Sequence, residues 1–419
     1  LYGEVSRFSI HADTMLILLA PLYWIVASPY VLLAVQVLAV AAGAIGIYLI
    51  GKAALHHRGL ALLSAFTYLM FPPLQYAVGS EFHSETVTTS CLIFAFYFLY
   101  TRRYWPFAVF ALLSLTGKET MAFMVAMLGI YALWTKRDWR VGLATIGISG
   151  VWFYVLLWYL MPSARSDGAA HFALSYYSQF GGTPAQIFST LVLKPWTWIA
   201  NLLRPDQALY LFYFFLPTAL LPLLSPLIFL LALPELMLNM LSNDPAMHSI
   251  QFQYTSSIIP FACIAMVFGL ARLRAWIAPH LGSRTVPILV VYCLIGLAIG
   301  TWVWSPLPGM REANLTPFTT HLPAGKDLDK LSRSLPKNAS VSTTDHLSPH
   351  FSERENIYPF PQGIGDADYL IIKDDDDPLG FSSWDAMQQQ ILELRTDPRY
   401  NRIYQYGTVE VYQKVGAAS

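Results

Sequence analysis

The sequence predicts an α-helical polytopic membrane protein with about ten visible spans and a small C-terminal α/β domain. Three observations predict it. Of 419 residues, 55% are hydrophobic and only 12% are charged, against about 25% charged in a soluble globular chain. Long apolar runs such as Val31–Ile50 and Ile148–Met161 point to segments that cross a hydrocarbon core of about 30 Å. The charges are also unevenly placed, because residues 305–419 hold 16 of the 26 acidic and 11 of the 26 basic residues. The first 304 residues therefore form a membrane domain, and the last 115 are long enough for a small water-exposed domain. Lys+Arg 26 against Asp+Glu 26 leaves no net field for phosphate backbones, which excludes nucleic acid as a partner.

Hydropathy and helix breakers place spans near 30–54, 58–79, 86–101, 104–118, 120–135, 141–161, 208–222, 226–241, 254–272 and 285–304. Several are shorter than the roughly 20 residues of a perpendicular span. The 15-residue apolar stretch Thr14–Ser28 ends at Pro29 and reads as an interfacial or re-entrant helix. Cys91, Cys263 and Cys293 lie in apolar segments without a pairing pattern, so neither a disulfide framework nor a metal site follows from them.

Basic residues in short loops set the orientation. The turns with Lys52 and Arg58, Arg102 and Arg103, Lys136, Arg137 and Arg140, and Arg272, Arg274 and Arg284 hold ten of the fifteen membrane-domain cations. All four turns fall on one side, which is then cytoplasmic. The opposite side of the cell membrane receives His11, the Glu81–Glu85 turn, Lys118-Glu119, the 162–207 and 242–253 loops and the extracytoplasmic C-terminal domain. The acidic residues gathered there suit either a solvated face or a polar site at the outer boundary.

Four outward clusters carry candidate chemistry. The first is the stretch from Arg7 to Asp13, with His11. The second is Glu81-Phe82-His83-Ser84-Glu85. Two carboxylates around an imidazole can bind a divalent metal through His83 and Glu85, act as acid and base, or cap the next helix with Ser84 as N-cap and Glu85 in the first turn. The third is Gly117-Lys118-Glu119 between two apolar segments. Ionisable groups at that depth are functional suspects, with a snorkelling lysine as the plain alternative. The upstream glycine of a phosphate-binding loop is absent. The fourth combines Arg165, His171, Lys194 and Arg204 with Glu235, Asn239, His248, Gln251 and Tyr254. Its cations suit a lipid-linked phosphate, and its aromatics suit an interfacial belt or a sugar- or prenyl-binding groove.

In the tail, Lys326–Leu335 and Ser383–Arg395 read as helices, and Ala339–Thr343 and Tyr369–Lys373 as strands. Ile403–Tyr406 and Thr408–Tyr412 read as a hairpin around Gly407. Asp374–Asp377 is contiguous and lacks the alternate spacing of a calcium loop, so it reads as a solvated loop.

The order His11, Ala20-Pro21-Leu22-Tyr23, Gln36, Phe71-Pro72-Pro73, Phe82-His83-Ser84-Glu85, Lys118-Glu119 and Gln253-Tyr254 resembles a prokaryotic membrane-protein family catalogued as domain of unknown function 2079. The tail runs Leu347–Arg354, Ile357–Pro361 and Ala367-Asp368-Tyr369 fit the same resemblance, which covers essentially the whole chain. Members commonly read Phe-His-Pro-Glu and Lys-Glu-Asp, where this chain has Ser84 and Thr120 at the departing positions.

That family is similar in architecture to the GT-C glycosyltransferases, which move a sugar from a polyprenyl-phosphate donor at the outer membrane face. The resemblance implies a glycosyltransferase with membrane lipid and a polyprenyl-phosphate sugar donor as partners, and membership of a larger membrane complex as a further expectation. It implies His83, Glu85, Glu81 and Glu119 as catalytic candidates. It implies His11, Lys118, Arg165, Lys194, Arg204, His248 and Tyr254 as substrate-binding candidates. A GT-C catalytic base typically follows the first span. The chain opens just before His11, so that span is expected to be missing, and Asp13 is not assigned as the base. The alternative is a non-catalytic membrane scaffold, accessory subunit or transporter on the same fold.

Overall fold

The computed structural model describes residue 8 and residues 11–79, 81–135, 138–164, 172–319, 325–378 and 381–417. The chain forms two compact units. One comprises Ser6–Pro21 and Leu32–Asn314, the other Leu22–Val31 with Leu315–Ser419.

In chain order, the helices are α1 (Met15–Tyr23), α2 (Tyr30–Leu55), α3 (Arg58–Leu69), α4 (Pro72–Gly79), α5 (Ser84–Tyr100), α6 (Tyr104–Leu115), α7 (Met121–Trp134) and α8 (Trp139–Val155). They continue as α9 (Met161–Ser163), α10 (Pro184–Leu193), α11 (Pro195–Leu202), α12 (Pro205–Phe215), α13 (Pro226–Phe229), α14 (Leu233–Leu241), α15 (Ile259–Leu281) and α16 (Thr285–Trp304). Three helical runs are long and apolar enough to cross a membrane: Tyr30–Leu55, Trp139–Ser163 and Ile259–Trp304. They coincide with the expected spans at 30–54, 141–161, 254–272 and 285–304. The expected 58–79 span is interrupted between α3 and α4, just before Pro72.

Helices α5, α6 and α7 form where the 86–101, 104–118 and 120–135 spans were expected, but they run for only 17, 12 and 14 residues. At 1.5 Å per residue, they are shorter than the hydrocarbon core. The 208–222 and 226–241 segments also fragment. Pro217, Pro222, Pro226 and Pro234 remove backbone donors there, and Ala219 and Leu220 take left-handed φ values of 53° and 54°.

Helices α5 and α15 run side by side, from Thr86 against Ser256 at one end to Phe96 against Phe268 near the other. Arg274 donates to the Leu55 carbonyl, which puts the end of α2 beside the basic end of α15. Gly269 of α15 and Gly296 of α16 both meet the Ala219–Leu221 kink, so the chain doubles back at Gly282–Arg284. At the opposite end, the Thr301 hydroxyl donates to the Met70 carbonyl and Ser305 to Gln75. Glycine makes this bundle close: a Cβ on Gly46 would lie 2.5 Å from Ile93 Cγ2. Small residues at such crossings let backbones approach where no hydrophobic drive separates protein from lipid.

The second unit carries a five-stranded sheet in the order β2 (Ile357–Pro359), β1 (Val341–Thr343), β3 (Tyr369–Lys373), β5 (Val409–Lys414) and β4 (Tyr400–Tyr406). Strand β1 pairs parallel with β2 and β3, and β5 pairs antiparallel with β3 and β4. Alternate side chains build a core on each face. Val341, Ile371, Val409 and Val411 pack with Leu328 of α18 (Gly325–Ser334), which follows the short α17 (Thr316–Thr319). Leu370, Ile372 and Tyr412 pack with Met387, Ile391 and Leu394 of α19 (Trp384–Arg395). Ser383 caps α19 by accepting from the Ala386 N–H at 3.2 Å. Gly407, at φ 58°, makes the hairpin turn. The Asp374–Asp377 run is not wholly a solvated loop. Asp376 is buried and accepts from the His346 N–H and ring, while Asp374 pairs with Arg395 at 3.1 Å.

Candidate functional site

Gly117 determines the local geometry. Helix α6 ends at Leu115 and α7 begins at Met121, leaving a short break that carries Lys118 and Glu119. A Cβ on Gly117 would lie 2.5 Å from Thr88 Cγ2 and 3.3 Å from the Ser84 carbonyl oxygen. Only glycine lets the break press against the first turn of α5. That contact brings Lys118 Nζ to 3.1 Å from Glu85 Oε2, with the two side chains only 12% and 7% exposed. The lysine also stands 5.7 Å from the centre of the Tyr254 ring, a cation–π distance.

A second pair adjoins the first. His11 Nδ1 lies 3.4 Å from Glu119 Oε1, and the Ala12 N–H donates to Glu119 Oε2 at 3.2 Å. The Met15 N–H donates to the Thr116 carbonyl, which holds the His11 segment against the break. The His11 side chain is 30% exposed, against 11% for Glu119, so the imidazole is the accessible half of this pair. Glu235, in the first turn of α14 and buried, lies within electrostatic reach of Lys118, Glu85 and Glu119. Three carboxylates thus surround one lysine in a nearly dry environment. Such an arrangement holds only while its charges remain paired.

The other described candidates, Tyr254 excepted, have other partners or are exposed. His83 takes the cap position of α5 without a side-chain cap bond. Its Nδ1 faces the Glu81 carbonyl at 3.0 Å, and its N–H donates to Gln36 Oε1 at 2.8 Å. Ser84 is therefore the first helical residue and not the cap, whereas Glu85 does stand in the first turn. Glu81 is exposed. Its carbonyl also accepts from Gln36 Nε2 at 3.2 Å. Among the described residues, no group of three or more His, Cys, Asp or Glu side chains could hold a metal ion, and Glu85 faces the Lys118 ammonium.

Lys194 is exposed at the junction of α10 and α11. Arg204 pairs with Asp206 at 3.0 Å, also near the surface, and His248 Nε2 approaches the same carboxylate at 3.5 Å. Arg165 and His171 lie outside the described residues. Tyr254 joins the core through its ring, and its carbonyl accepts from Asn239 Nδ2 at 2.8 Å. Gln207 was not singled out from sequence. It is fully buried, and a glutamine directly after Pro205-Asp206 at a helix start gives no pattern that marks it.

An apolar cleft of about 210 Å³ runs between α6, α7 and α8, lined by Phe107, Ala111, Leu115, Val125 and Ile148 among others. It follows α6 up to Leu115, where the Thr116–Thr120 break starts.

No curated protein matches the chain. Residues 1–410 match the family described as predicted membrane protein (DUF2079). With that match spanning nearly all of the helical unit and the sheet unit, the chain belongs to the DUF2079 family of membrane proteins.

Proposed function

We propose that the protein is a multi-pass cell-membrane glycosyltransferase of GT-C type, taking a sugar from a polyprenyl-phosphate donor at the outer face. The observation that carries this reading is the paired cluster of Glu85, Lys118, His11 and Glu119, at the bundle end opposite the basic residues. By the positive-inside rule, the Arg102, Arg140 and Arg274 end is cytoplasmic, so the cluster faces outward, as does the C-terminal unit.

The roles follow from exposure and charge. His11 accepts the proton of the acceptor hydroxyl as that oxygen attacks the sugar's anomeric carbon. Glu119 orients the imidazole and offsets the charge it gains, as a carboxylate does for a catalytic histidine. The bond from the anomeric carbon to the phosphate oxygen breaks, and its electrons leave with the lipid phosphate. Lys118 stabilises that departing oxyanion, with Glu85 holding the ammonium in place. The apolar cleft along α6 takes the first isoprene units of the prenyl tail. Lys194, Arg204 and His248, on the outer loops, attract the donor phosphate, while Glu81 and His83 border the acceptor side.

The self-pairing of every charge in the cluster favours a second reading, a non-catalytic scaffold, subunit or transporter in which these pairs only clasp the helices. One experiment separates the two: purified protein is incubated with a polyprenyl-phosphate hexose and assayed for released polyprenyl phosphate. Release supports transfer, and its absence with a folded preparation supports the clasp.

A further inference from the structure

Beyond Lys118, the polar region continues into side chains of which the reaction above uses only His248. Gln207 and Asn239 are 0% exposed and Glu235 is 1% exposed. Gln207 Nε2 and Oε1, Glu235 Oε2, Asn239 Oδ1 and His248 Nδ1 are buried with no hydrogen-bond partner. Native structures seldom leave such atoms unsatisfied, and each one carries a desolvation cost that a partner would relieve.

These residues form one connected group. Gln207 stands one turn before Tyr210 on the buried face of α12. The Tyr210 hydroxyl accepts from Asn239 Nδ2 at 2.9 Å. Asn239 follows Glu235 by one turn on α14, on the same buried face. Asp206, next to Gln207, holds His248 through Nε2, leaving Nδ1 without a partner.

We infer that this group is a subsite for the hydroxyls of a neutral sugar ring. Two of the unpartnered atoms are nitrogens and three are oxygens. A hydroxyl both donates and accepts, so a polyol can satisfy every one of them. A phosphate would meet three acceptors, one of them a carboxylate, and an apolar ligand would leave all five atoms unmet. Glu235 belongs both to this group and to the surroundings of Lys118, so a ring bound here lies next to the charged cluster. The hydroxyl subsite stands on the buried atoms. Its assignment to the transferred sugar rests on the transferase reading. Over this side, α10 and α11 bury no residue of their own, and α11 touches α14 through Asn201 and the Met240 carbonyl.

The test uses the full chain, purified in a sugar-free detergent, with three probes: polyprenyl phosphate, polyprenyl-phosphate hexose and a neutral alkyl hexoside. Gln207→Leu removes the amide at nearly constant volume. Because the amide is unpartnered, the variant should fold at least as stably as the parent, and Gln207→Met serves as a second variant of the same kind. The parent should bind the hexose-bearing lipid about tenfold more tightly than the bare lipid phosphate, as one to two net hydrogen bonds allow. Both variants should lose that preference and keep affinity for polyprenyl phosphate. Hexoside binding that depends on Gln207, with no binding of either phosphate lipid, would keep the subsite and overturn the transferase reading. Equal binding of the two lipids by the parent, an unchanged preference in the variants, or no binding of any hexose probe would overturn the subsite and leave the five atoms to water.

Discussion

Lys118 Nζ and Glu85 Oε2 lie 3.1 Å apart with both side chains almost wholly buried, joining the break between α6 and α7 to the first turn of α5. Removing one partner strands the other charge in a dry environment. Glu85→Gln and Lys118→Met are each expected to destabilise the fold by about 3–5 kcal/mol. The double variant should recover part of that loss, because neither member of this pair is left alone, while buried Glu235 still loses the neighbouring lysine charge. Thermal unfolding of the four proteins in one detergent checks this coupling, and simple addition of the two single losses would show that the pair is not coupled.

The glycine before the lysine sets the approach of the break to α5. Gly117→Ala places a methyl group 2.5 Å from Thr88 Cγ2 and is expected to cost about 1–3 kcal/mol through overpacking. Thr88→Ser removes the opposing methyl and keeps the hydroxyl that donates to the Glu85 carbonyl. The Gly117→Ala/Thr88→Ser protein should therefore regain stability lost in the single variant, as read by denaturation midpoint.

Orientation can be read by labelling. A cysteine at exposed Glu81 or Ser382 should react with a membrane-impermeant reagent in intact cells. A cysteine at exposed Arg103 should react only after permeabilisation, because the basic loops stay inside. Ser84 is unsuitable for this purpose, since it is buried at the start of α5. Protection of Glu81 and Ser382 together would invert the topology.

The sheet unit carries a pH-sensitive contact. Partial burial disfavours the His346 cation, but the hydrogen bond and charge of Asp376 outweigh this and raise its pKa above the ordinary histidine value. A raised pKa stabilises the fold below the unfolded histidine value of about 6.5, and the benefit disappears as pH rises through the folded value. The side chain is 60% exposed, so the effect is small. Hydrogen exchange around residues 344–350 of the full chain should quicken, beyond the intrinsic change, as pH rises through that window. His346→Asn should remove the extra pH dependence.

Much of this architecture was legible in the sequence because burial imposes period and length. The long helices α2, α15 and α16 follow long apolar runs, with the basic turn around Arg284 between the last two, and the tail hairpin follows alternation around Gly407. The short strand β2 was not read as a strand. Its residues Ile357, Tyr358 and Pro359 include a proline, which is tolerated there because β2 is an edge strand pairing only with β1. The charged pairs were legible as residue types but not as partners. Glu85 and Lys118 are brought together by Gly117, and His11 and Glu119 stand 108 positions apart. Gln207 left no trace because a buried amide and a surface amide have the same letter.

Transfer from a lipid phosphate is read by the rate of polyprenyl phosphate release from a labelled polyprenyl-phosphate hexose. The measurement is made with the parent chain and with His11→Gln, which keeps a polar group opposite Glu119 but removes the base. The parent should release lipid phosphate, and the variant should do so about 10²–10⁴-fold more slowly with an unchanged melting temperature. No release by a folded parent would contradict transfer, and equal release by both proteins would contradict His11 as the base.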